Sequence, residues 1–152
     1  MVPAGKAISP PSGVYSMSFG ASEPPPPVET RFSEVVFPEH ANHYGTLFAG
    51  TALSLMAKAA FAAGARHAGR NVVMVRTDTV EFREPVKVGE LIEIVARVVR
   101  SGRTSMTVAV EIFREEVASG QRSRAMHGTF EMVAIGEDGR PVPIAKNTTT
   151  TV

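Results

Sequence analysis

The 152-residue sequence contains neither cysteine nor tryptophan, and only 7% of its residues are aromatic. Without cysteine the chain forms no disulfide, uses no thiolate nucleophile and binds no metal through thiolates. So few rings also argue against a surface on which nucleic-acid bases stack. The lack of cysteine fits a reducing compartment, and we expect the protein to be cytoplasmic.

An excess of either charge is also absent, because 16 Lys and Arg residues and 15 Asp and Glu residues leave a net charge of +1. Such a balance creates no overall field that would recruit nucleic acid or an anionic membrane. His40, His67 and His127 do not have the spacing of metal ligands. We therefore expect no nucleic-acid partner, no membrane association, no metal and no other cofactor.

The chain is long enough for one ordinary domain, and 43% of its residues are apolar. Residues 1–28 are rich in Pro, Gly and Ser and lack the apolar run of a signal peptide. Because this segment buries too little surface to offset its ordering entropy, we expect a flexible arm, with the prolines at 24–27 as a stiff spacer rather than a polyproline ligand. Residues 146–152 are predicted to be a disordered tail, which leaves 29–145 as the folded domain.

The longest apolar stretch, residues 47–65, carries a single charge at Lys58. It has the length of a membrane span, but it is rich in small residues, its charge lies in mid-segment and strand patterns follow it. A helix enclosed by its own protein explains it better. We predict that this helix starts at Thr46 or Leu47, with Thr46 as the N-cap, and ends at residue 66 or 67. Its apolar stripe comprises Leu53, Met56, Ala57, Ala60, Phe61 and Gly64.

Five segments alternate between apolar and polar residues, as strands do. One precedes the helix and four follow it, joined by short turns that favour antiparallel neighbours. They are residues 31–37, 72–82, 91–100, 103–114 and 122–135. One long apolar helix and one antiparallel sheet bury each other best when the sheet curls around the helix, so we predict an α+β fold. A single copy leaves sheet edges unpaired, which predicts at least a homodimer.

The stretch FPEHANHYGTLFAGTALSLM, residues 37–56, resembles the start of the acyl-CoA thioesterase branch of the hot-dog superfamily. In that branch an Asn lies a few residues before a Gly, a Phe-Gly-Gly follows, and an Asp lies seven residues past the second Gly. Asn42, Gly45, Phe48 and Gly50 match this pattern, and Ala49 replaces the first Gly of the pair. Residues 80–115 and 125–144 are also similar to the family.

This resemblance implies a hot-dog fold, in which one long central helix is wrapped by a five-stranded antiparallel sheet. It also implies that two subunits pair into a continuous sheet with the active sites between them, and that tetramers or hexamers are formed by some relatives. The bound small molecule would be an acyl-CoA, so that coenzyme A is part of the substrate or product rather than a cofactor.

The family Asp position is occupied by Ala57, which neither binds a proton nor attacks a carbonyl. The resemblance implies that an Asp there acts as base or nucleophile. Three explanations remain open: an engineered replacement, a natural relative that binds acyl-CoA without rapid hydrolysis, or a substitute group. The candidate substitutes are Glu39, His43, Asp78 and Glu81.

The other candidate catalytic groups lie just before the helix. The turn around Gly45 is predicted to present backbone N–H groups to the oxyanion, since the start of a helix has unpaired amides and positive potential. Ala49 and Gly50 are small enough for a thioester to approach the backbone closely. Asn42 is predicted to hold a water or orient the carbonyl; a plain tight turn with an Asx-turn Asn is the alternative interpretation.

Coenzyme A is predicted to contact the segment RSGRTSM, where arginines can pair with phosphate and hydroxyl groups can donate hydrogen bonds. An ordinary hairpin with solvated basic residues is the alternative. The predicted contacts are Arg100, Ser101, Gly102, Arg103, Thr104 and Ser105, with Arg83 as a further phosphate contact.

The sequence therefore predicts an acyl-CoA thioester hydrolase. The alternative is an acyl-CoA-binding protein that is catalytically impaired because the helix carboxylate is missing. Hydration of an enoyl thioester is less favoured, since that chemistry uses an Asp/His pair that the loop and helix lack. An interaction module acting through the proline-rich arm is a fourth interpretation.

Overall fold

A computed structural model describes residues 29–145, so the predicted arm and tail lie outside the described residues. One helix packs against a five-stranded antiparallel sheet, which confirms the α+β prediction. The strands lie side by side in the order β1-β3-β4-β5-β2, so that β1 and β2 form the two edges. The elements are β1 (Thr30–Val35), a 3-10 turn (Pro38–His40), α1 (Ala49–Ala68), β2 (Val72–Phe82), β3 (Leu91–Ser101), β4 (Ser105–Glu115) and β5 (Arg122–Ala134).

The core lies between one face of α1 and the inner face of the sheet. Alternate residues of the central strand β4 are fully buried, as the period of two requires. Alanines on the facing side of α1 allow the helix to lie close to the sheet. The buried set includes Ala52, Ala59, Ala60 and Ala63 of α1 and Met106, Val108, Val110 and Ile112 of β4.

The predicted start of α1 was wrong by two to three residues. The helix begins at Ala49 with Phe48 as its N-cap, and Phe48 offers no side-chain cap. Thr46 does not cap the helix because its backbone N–H donates to Asn42 Oδ1 at 3.1 Å, which keeps the chain in the preceding loop. The end was close to prediction, since α1 stops at Ala68 and Gly69 closes it in the left-handed conformation, with φ of 63°.

The predicted apolar stripe of α1 was half right. Met56, Ala60 and Gly64 are buried, but Leu53 is 36% exposed and Phe61 is 46% exposed. The single chain therefore does not enclose the helix on all sides, because the sheet covers only one face of it. No helix within 29–145 is long and apolar enough to cross a membrane.

Four of the five strands differ from the prediction by one or two residues at one or both ends. The first strand ends at Val35 rather than at Phe37, because Phe37 directs its N–H to His40 Nδ1 at 3.1 Å and so starts the 3-10 turn. The third strand extends to Ser101, and the fourth starts at Ser105 because the residues between them form the hairpin turn. The second strand has the predicted bounds.

Candidate active site

The loop before α1 fixes the side-chain amide of Asn42. Its Oδ1 accepts hydrogen bonds from the backbone N–H groups of Tyr44, at 3.0 Å, and Thr46, at 3.1 Å. Its Nδ2 lies 3.0 Å from Thr46 Oγ1, and the backbone N–H of Asn42 donates to the Thr46 carbonyl at 2.8 Å. The amide oxygen is thus used within the loop, and one N–H of Nδ2 is directed to Thr46 Oγ1, so the other N–H of Nδ2 is the part that remains for a ligand.

Gly45 shapes this loop and does not donate to a ligand. Its φ of +77° is the left-handed conformation that glycine adopts without strain. Its N–H donates to the Asn42 carbonyl at 3.1 Å, and its carbonyl accepts from Val88 N–H at 3.1 Å. The N–H of Gly45 is therefore unavailable for an oxyanion, and the free donors must come from further along the chain.

Those free donors are the first amides of α1. Within residues 29–145, the N–H groups of Ala49, Gly50 and Thr51 have no acceptor. The first turn of α1 has no acidic residue, and its N-cap has no side-chain hydrogen bond. Unpaired amides and the helix dipole together give this end of α1 a positive potential, and no acidic residue in the first turn offsets it.

Gly50 leaves room for the ring of Phe48, two residues before it. A Cβ built at Gly50 would lie 2.7 Å from Phe48 Cε1, so the ring of Phe48 lies against the place where a larger residue would carry its side chain. Phe48 itself is 53% exposed. The small size of Gly50 thus accommodates an aromatic ring at the mouth of the helix start, in addition to leaving its amide accessible.

A groove of about 290 Å³ joins the Asn42 loop to the start of α1. Asn42 and Ala49 line it together with Arg83, so the structure brings one predicted coenzyme A contact next to the predicted carbonyl-binding groups. Leu47, Phe82, Pro85 and Met126 supply an apolar wall, and Glu84 is the remaining lining residue. One surface therefore combines amide donors, a cation, a carboxylate and room for an apolar chain.

Ala57 lies on a different part of the helix and does not line this groove. It is eight residues past Ala49, which corresponds to about 12 Å along the helix axis. It is half-buried, between the exposed side chains of Leu53 and Phe61. The face of α1 where the family carries its Asp is thus apolar and open in the single chain.

The two predicted substitutes on the loop are placed poorly for catalysis. The side chain of Glu39 is 75% exposed, with one oxygen 3.9 Å from His40 Nε2. His43 stacks on Tyr44 with ring centroids 3.9 Å apart. Neither residue lines the Asn42 groove.

The two substitutes on β2 are bound to arginines. Asp78 is 3.1 Å from Arg76, and Glu81 is 2.9 Å from Arg83. The hydrogen bond from Arg83, followed by its charge, holds the pKa of Glu81 below its ordinary range. His127 Nε2 also lies 3.2 Å from Glu81 Oε2, but at an angle that makes no hydrogen bond, so this buried nitrogen has no hydrogen-bond partner within the described chain.

Glu84 is a carboxylate that the sequence interpretation missed. It is the only carboxylate among the described residues that line the groove. Its Oε2 accepts a 2.5 Å hydrogen bond from Ser123 Oγ, and its backbone N–H donates to the Ala125 carbonyl. The sequence held one indication of it, because Glu84 directly follows Arg83, which was predicted to contact a phosphate of coenzyme A.

The predicted coenzyme A hairpin lies at the other end of α1. Ser101 Oγ is 2.9 Å from His67 Nε2, in the last turn of the 20-residue helix, so the hairpin is about 30 Å from the Asn42 groove. Within one chain the structure does not bring these two predicted regions together. A single coenzyme A could contact both only if a second copy supplied one of them.

Several donors of this hairpin are already engaged. Arg100 binds Glu131 at 3.0 Å and the Thr107 hydroxyl at 2.9 Å. Gly102 N–H donates to the Ser105 carbonyl at 2.7 Å. Arg103 and the Thr104 hydroxyl have no side-chain partner within residues 29–145, so they are the donors that the hairpin still offers. No cluster of His, Asp or Glu in that range has the arrangement of a metal site.

Solved structures with the same architecture identify the class of protein. An acyl-CoA hydrolase from Staphylococcus aureus, in complex with butyryl coenzyme A, coenzyme A and coenzyme A disulfide, is 32% identical, with a TM-score of 0.74 over 77% of this chain and 71% of that chain. An apo-hexameric acyl-CoA thioesterase is 30% identical, with a TM-score of 0.77 over 84% of each chain. The fold is therefore the hot-dog fold, as the resemblance implied.

Sequence comparison then gives the family. The family model described as the thioesterase superfamily matches residues 44–120. An uncharacterised acyl-CoA thioester hydrolase of Zymomonas mobilis is 37% identical over 124 residues, which cover 81% of this chain and 83% of that protein. The chain belongs to the thioesterase superfamily.

Three alanine variants of the S. aureus hydrolase are also among the similar solved structures. The residues replaced in them are an asparagine, an aspartate fifteen residues after it and a threonine seventeen residues after the aspartate.

Proposed function

We propose that this protein hydrolyses acyl-CoA thioesters in the Asn42 groove. The observation that carries the proposal is that the oriented amide of Asn42 and the start of α1, with its free N–H groups, line the same groove. Donors aimed at the place where negative charge develops are the largest single contribution to many acyl-transfer reactions. The similarity to acyl-CoA hydrolases supports the choice of thioester.

In this proposal the two ends of the substrate contact different parts of the groove. The carbonyl oxygen accepts hydrogen bonds from the helix amides, and its tetrahedral anion is stabilised by the same donors. Asn42 Nδ2 holds the attacking water or the carbonyl group. Leu47, Phe82 and Met126 pack against apolar parts of the substrate. Arg83 lies at the same groove and can approach a phosphate of coenzyme A, although it would have to share its charge with Glu81.

A second candidate function is acyl-CoA binding with little turnover. Fifteen residues after Asn42 is Ala57, and seventeen residues after Ala57 is Met74. The S. aureus hydrolase has its aspartate and threonine at these spacings. This chain has apolar residues at both, which supports slow hydrolysis or none.

Release of thiol from a panel of acyl-CoAs distinguishes the two functions, when the natural chain is compared with Ala57→Asp. Turnover by the natural chain supports the hydrolase. Binding of a non-hydrolysable acyl-CoA without turnover in the natural chain supports the binding protein. If neither the natural chain nor Ala57→Asp binds acyl-CoA or releases thiol, both candidate functions are rejected.

We also propose that the active assembly is a homodimer or a higher oligomer, with the groove near the interface. The edge strand β2 exposes Val73, Met74 and Val75 by 41%, 46% and 59%. An edge strand with exposed apolar side chains is a surface for another strand. A hexameric relative supports a hexamer as the higher oligomer, in which Arg103 and Thr104 of one copy would bind coenzyme A held by another. We place this assembly in the cytoplasm.

A further inference from the structure

We propose that Glu84 is the general base that activates the attacking water, in place of the carboxylate missing at position 57. The proposal rests on the hydrolase function above. Among the described residues, Glu84 is the only carboxylate that lines the groove containing Asn42 and the start of α1. A base must lie within hydrogen-bond reach of a water that also reaches the carbonyl carbon, so it has to share the groove with the carbonyl donors.

Two hydrogen bonds to β5 hold Glu84 in place. The Ser123 hydroxyl donates to Oε2 at 2.5 Å, and the N–H of Glu84 donates to the Ala125 carbonyl at 3.1 Å, which ties the residue to β5. Oε1 has no partner among residues 29–145, so one carboxylate oxygen is fixed and the other is available for a water. Arg83, the preceding residue in the chain, pairs with Glu81 instead.

The alternatives in the chain are less suited to hold that water. Glu81 and Asp78 are each bound to an arginine, and neither lines the groove. Glu39 points to solvent from the 3-10 turn. Among the carboxylates of residues 29–145, only Glu84 combines a place in the groove, one oxygen held by a hydrogen bond and one free oxygen.

Glu84 alone can carry out both proton transfers of the hydrolysis. Glu84 Oε1 takes a proton from water as the water oxygen bonds to the thioester carbon, and the carbonyl electron pair moves to the oxygen held by the helix amides. The intermediate then collapses, and the C–S bond breaks with its electron pair going to sulfur. The proton on Glu84 passes to the sulfur, which yields the carboxylic acid, coenzyme A thiol and the original carboxylate.

The test is steady-state thiol release by the full chain and by Glu84→Gln, which keeps the size of the side chain and its acceptor for Ser123. We expect kcat to fall about 100-fold or more, as for loss of a general base, and the acid limb of the pH–rate profile to disappear. Glu116→Gln is the matched control, because Glu116 lines a neighbouring polar pocket with Glu84 but not the Asn42 groove.

Unchanged kcat in Glu84→Gln would overturn the role of Glu84 and leave the hydrolase function intact. Turnover by Ala57→Asp but not by the natural chain would also overturn it, since the groove would then work only with the family acid. If Glu84→Gln fails to fold, Ser123→Ala tests the same idea by removing the hydroxyl that orients Oε2. We expect about a tenfold lower kcat with the acid limb retained, as for a misplaced base, and an unchanged kcat would count against the proposal.

Discussion

Thr46 and Asn42 hold each other through both their backbones and their side chains. The backbone N–H of each donates to an oxygen of the other, at 2.8 Å from Asn42 and 3.1 Å from Thr46. The Thr46 hydroxyl lies 3.0 Å from Nδ2 and 3.2 Å from Oδ1 of Asn42. This pair fixes the direction of the Asn42 amide before any ligand arrives, which is the preorganisation that catalysis by hydrogen-bond donors needs.

Replacing Asn42 by Ala should therefore lower kcat/KM about 100- to 1000-fold, as for loss of an oxyanion donor. It should also destabilise the fold by about 1–3 kcal/mol, because the N–H groups of Tyr44 and Thr46 lose their acceptor. Thr46→Val is the control, since it removes only the hydroxyl and leaves Oδ1 in place. Kinetics and urea denaturation measure both effects, and equal losses in the two variants would contradict the assigned role.

Gly128 should be intolerant of a side chain. A Cβ there would lie 2.9 Å from Val80 Cγ2 and 3.3 Å from Val80 Cα, so part of the obstacle is backbone. We expect Gly128→Ala to destabilise the protein by about 1–3 kcal/mol through overpacking. In the Val80→Ala background the cost should be smaller, because the nearest methyl group is gone. Additive effects in this double-mutant cycle would show that the contact is not the cause.

Replacing only one partner of the ion pair between Glu90 and Arg114 should lower the free energy of unfolding. Glu90 is 6% exposed and accepts from Lys87 N–H at 2.7 Å and from Arg114 Nε at 2.9 Å. Glu90→Ala should cost about 3–5 kcal/mol, because it leaves a largely buried guanidinium without its partner. The double variant Glu90→Ala with Arg114→Met should cost less than the single one, as measured by denaturant unfolding. A larger cost in the double variant would contradict this explanation.

Acid should destabilise the fold partly through Glu131. The 2.5 Å hydrogen bond from the Thr107 hydroxyl, together with the charge of Arg100, holds the pKa of Glu131 below its ordinary value of 4.5 despite partial burial. A carboxyl with a lowered pKa binds fewer protons in the folded state than in the unfolded state. The contribution of Glu131 to the free energy of unfolding is therefore complete above about pH 4.5 and is lost as the pH drops through the folded pKa.

The corresponding measurement is an NMR titration of Glu131 with unfolding curves at several pH values. Thr107→Val should raise the pKa of Glu131 and reduce the loss of stability in acid, because the principal donor is removed. Thr104→Val is the control, since that hydroxyl contacts no carboxylate within residues 29–145. An unmoved pKa in Thr107→Val would assign the effect to Arg100 instead.

The edge of β2 should govern self-association. Val75 is 59% exposed on this edge, and a lysine there would place an unpaired charge in any strand pairing across it. We expect the natural chain to elute as an oligomer in size-exclusion chromatography with light scattering, and Val75→Lys to shift it towards the monomer. Val117→Lys, at a 63% exposed loop position, should leave the mass unchanged. A monomeric natural chain would contradict the proposal.

Much of the fold was predictable because its strands alternate regularly. The inner residues of β4 and β5 occur at every second position, and the short turns predicted the antiparallel pairs β3–β4 and β4–β5. The pattern did not predict that β2 pairs with β5 rather than with β3, or that β1 pairs with β3. The start of α1 was less predictable because Thr46 is a good N-cap by residue type, yet the side chain of Asn42 captures it first. Such competition between two local hydrogen bonds is not visible in residue type or spacing.

The candidate site was predictable only in part, for a related reason. Asn42 and the helix start were found through a motif that is continuous in the chain. Glu84 follows β2 and meets Asn42 only through the packing of separate elements, so no spacing pointed to it. The exposure of Leu53 and Phe61 was missed because a helix that is apolar on several sides does not reveal which side the sheet covers.

The start of α1 has no capping side chain. The backbone N–H groups of Ala49, Gly50 and Thr51 can therefore form hydrogen bonds only with an oxygen from outside the described chain. A bound thioester would act as that cap, so occupancy and folding free energy are thermodynamically linked. The melting temperature should then rise with the concentration of a non-hydrolysable acyl-CoA. In a cell, the supply of activated acids would set how resistant the protein is to unfolding and proteolysis.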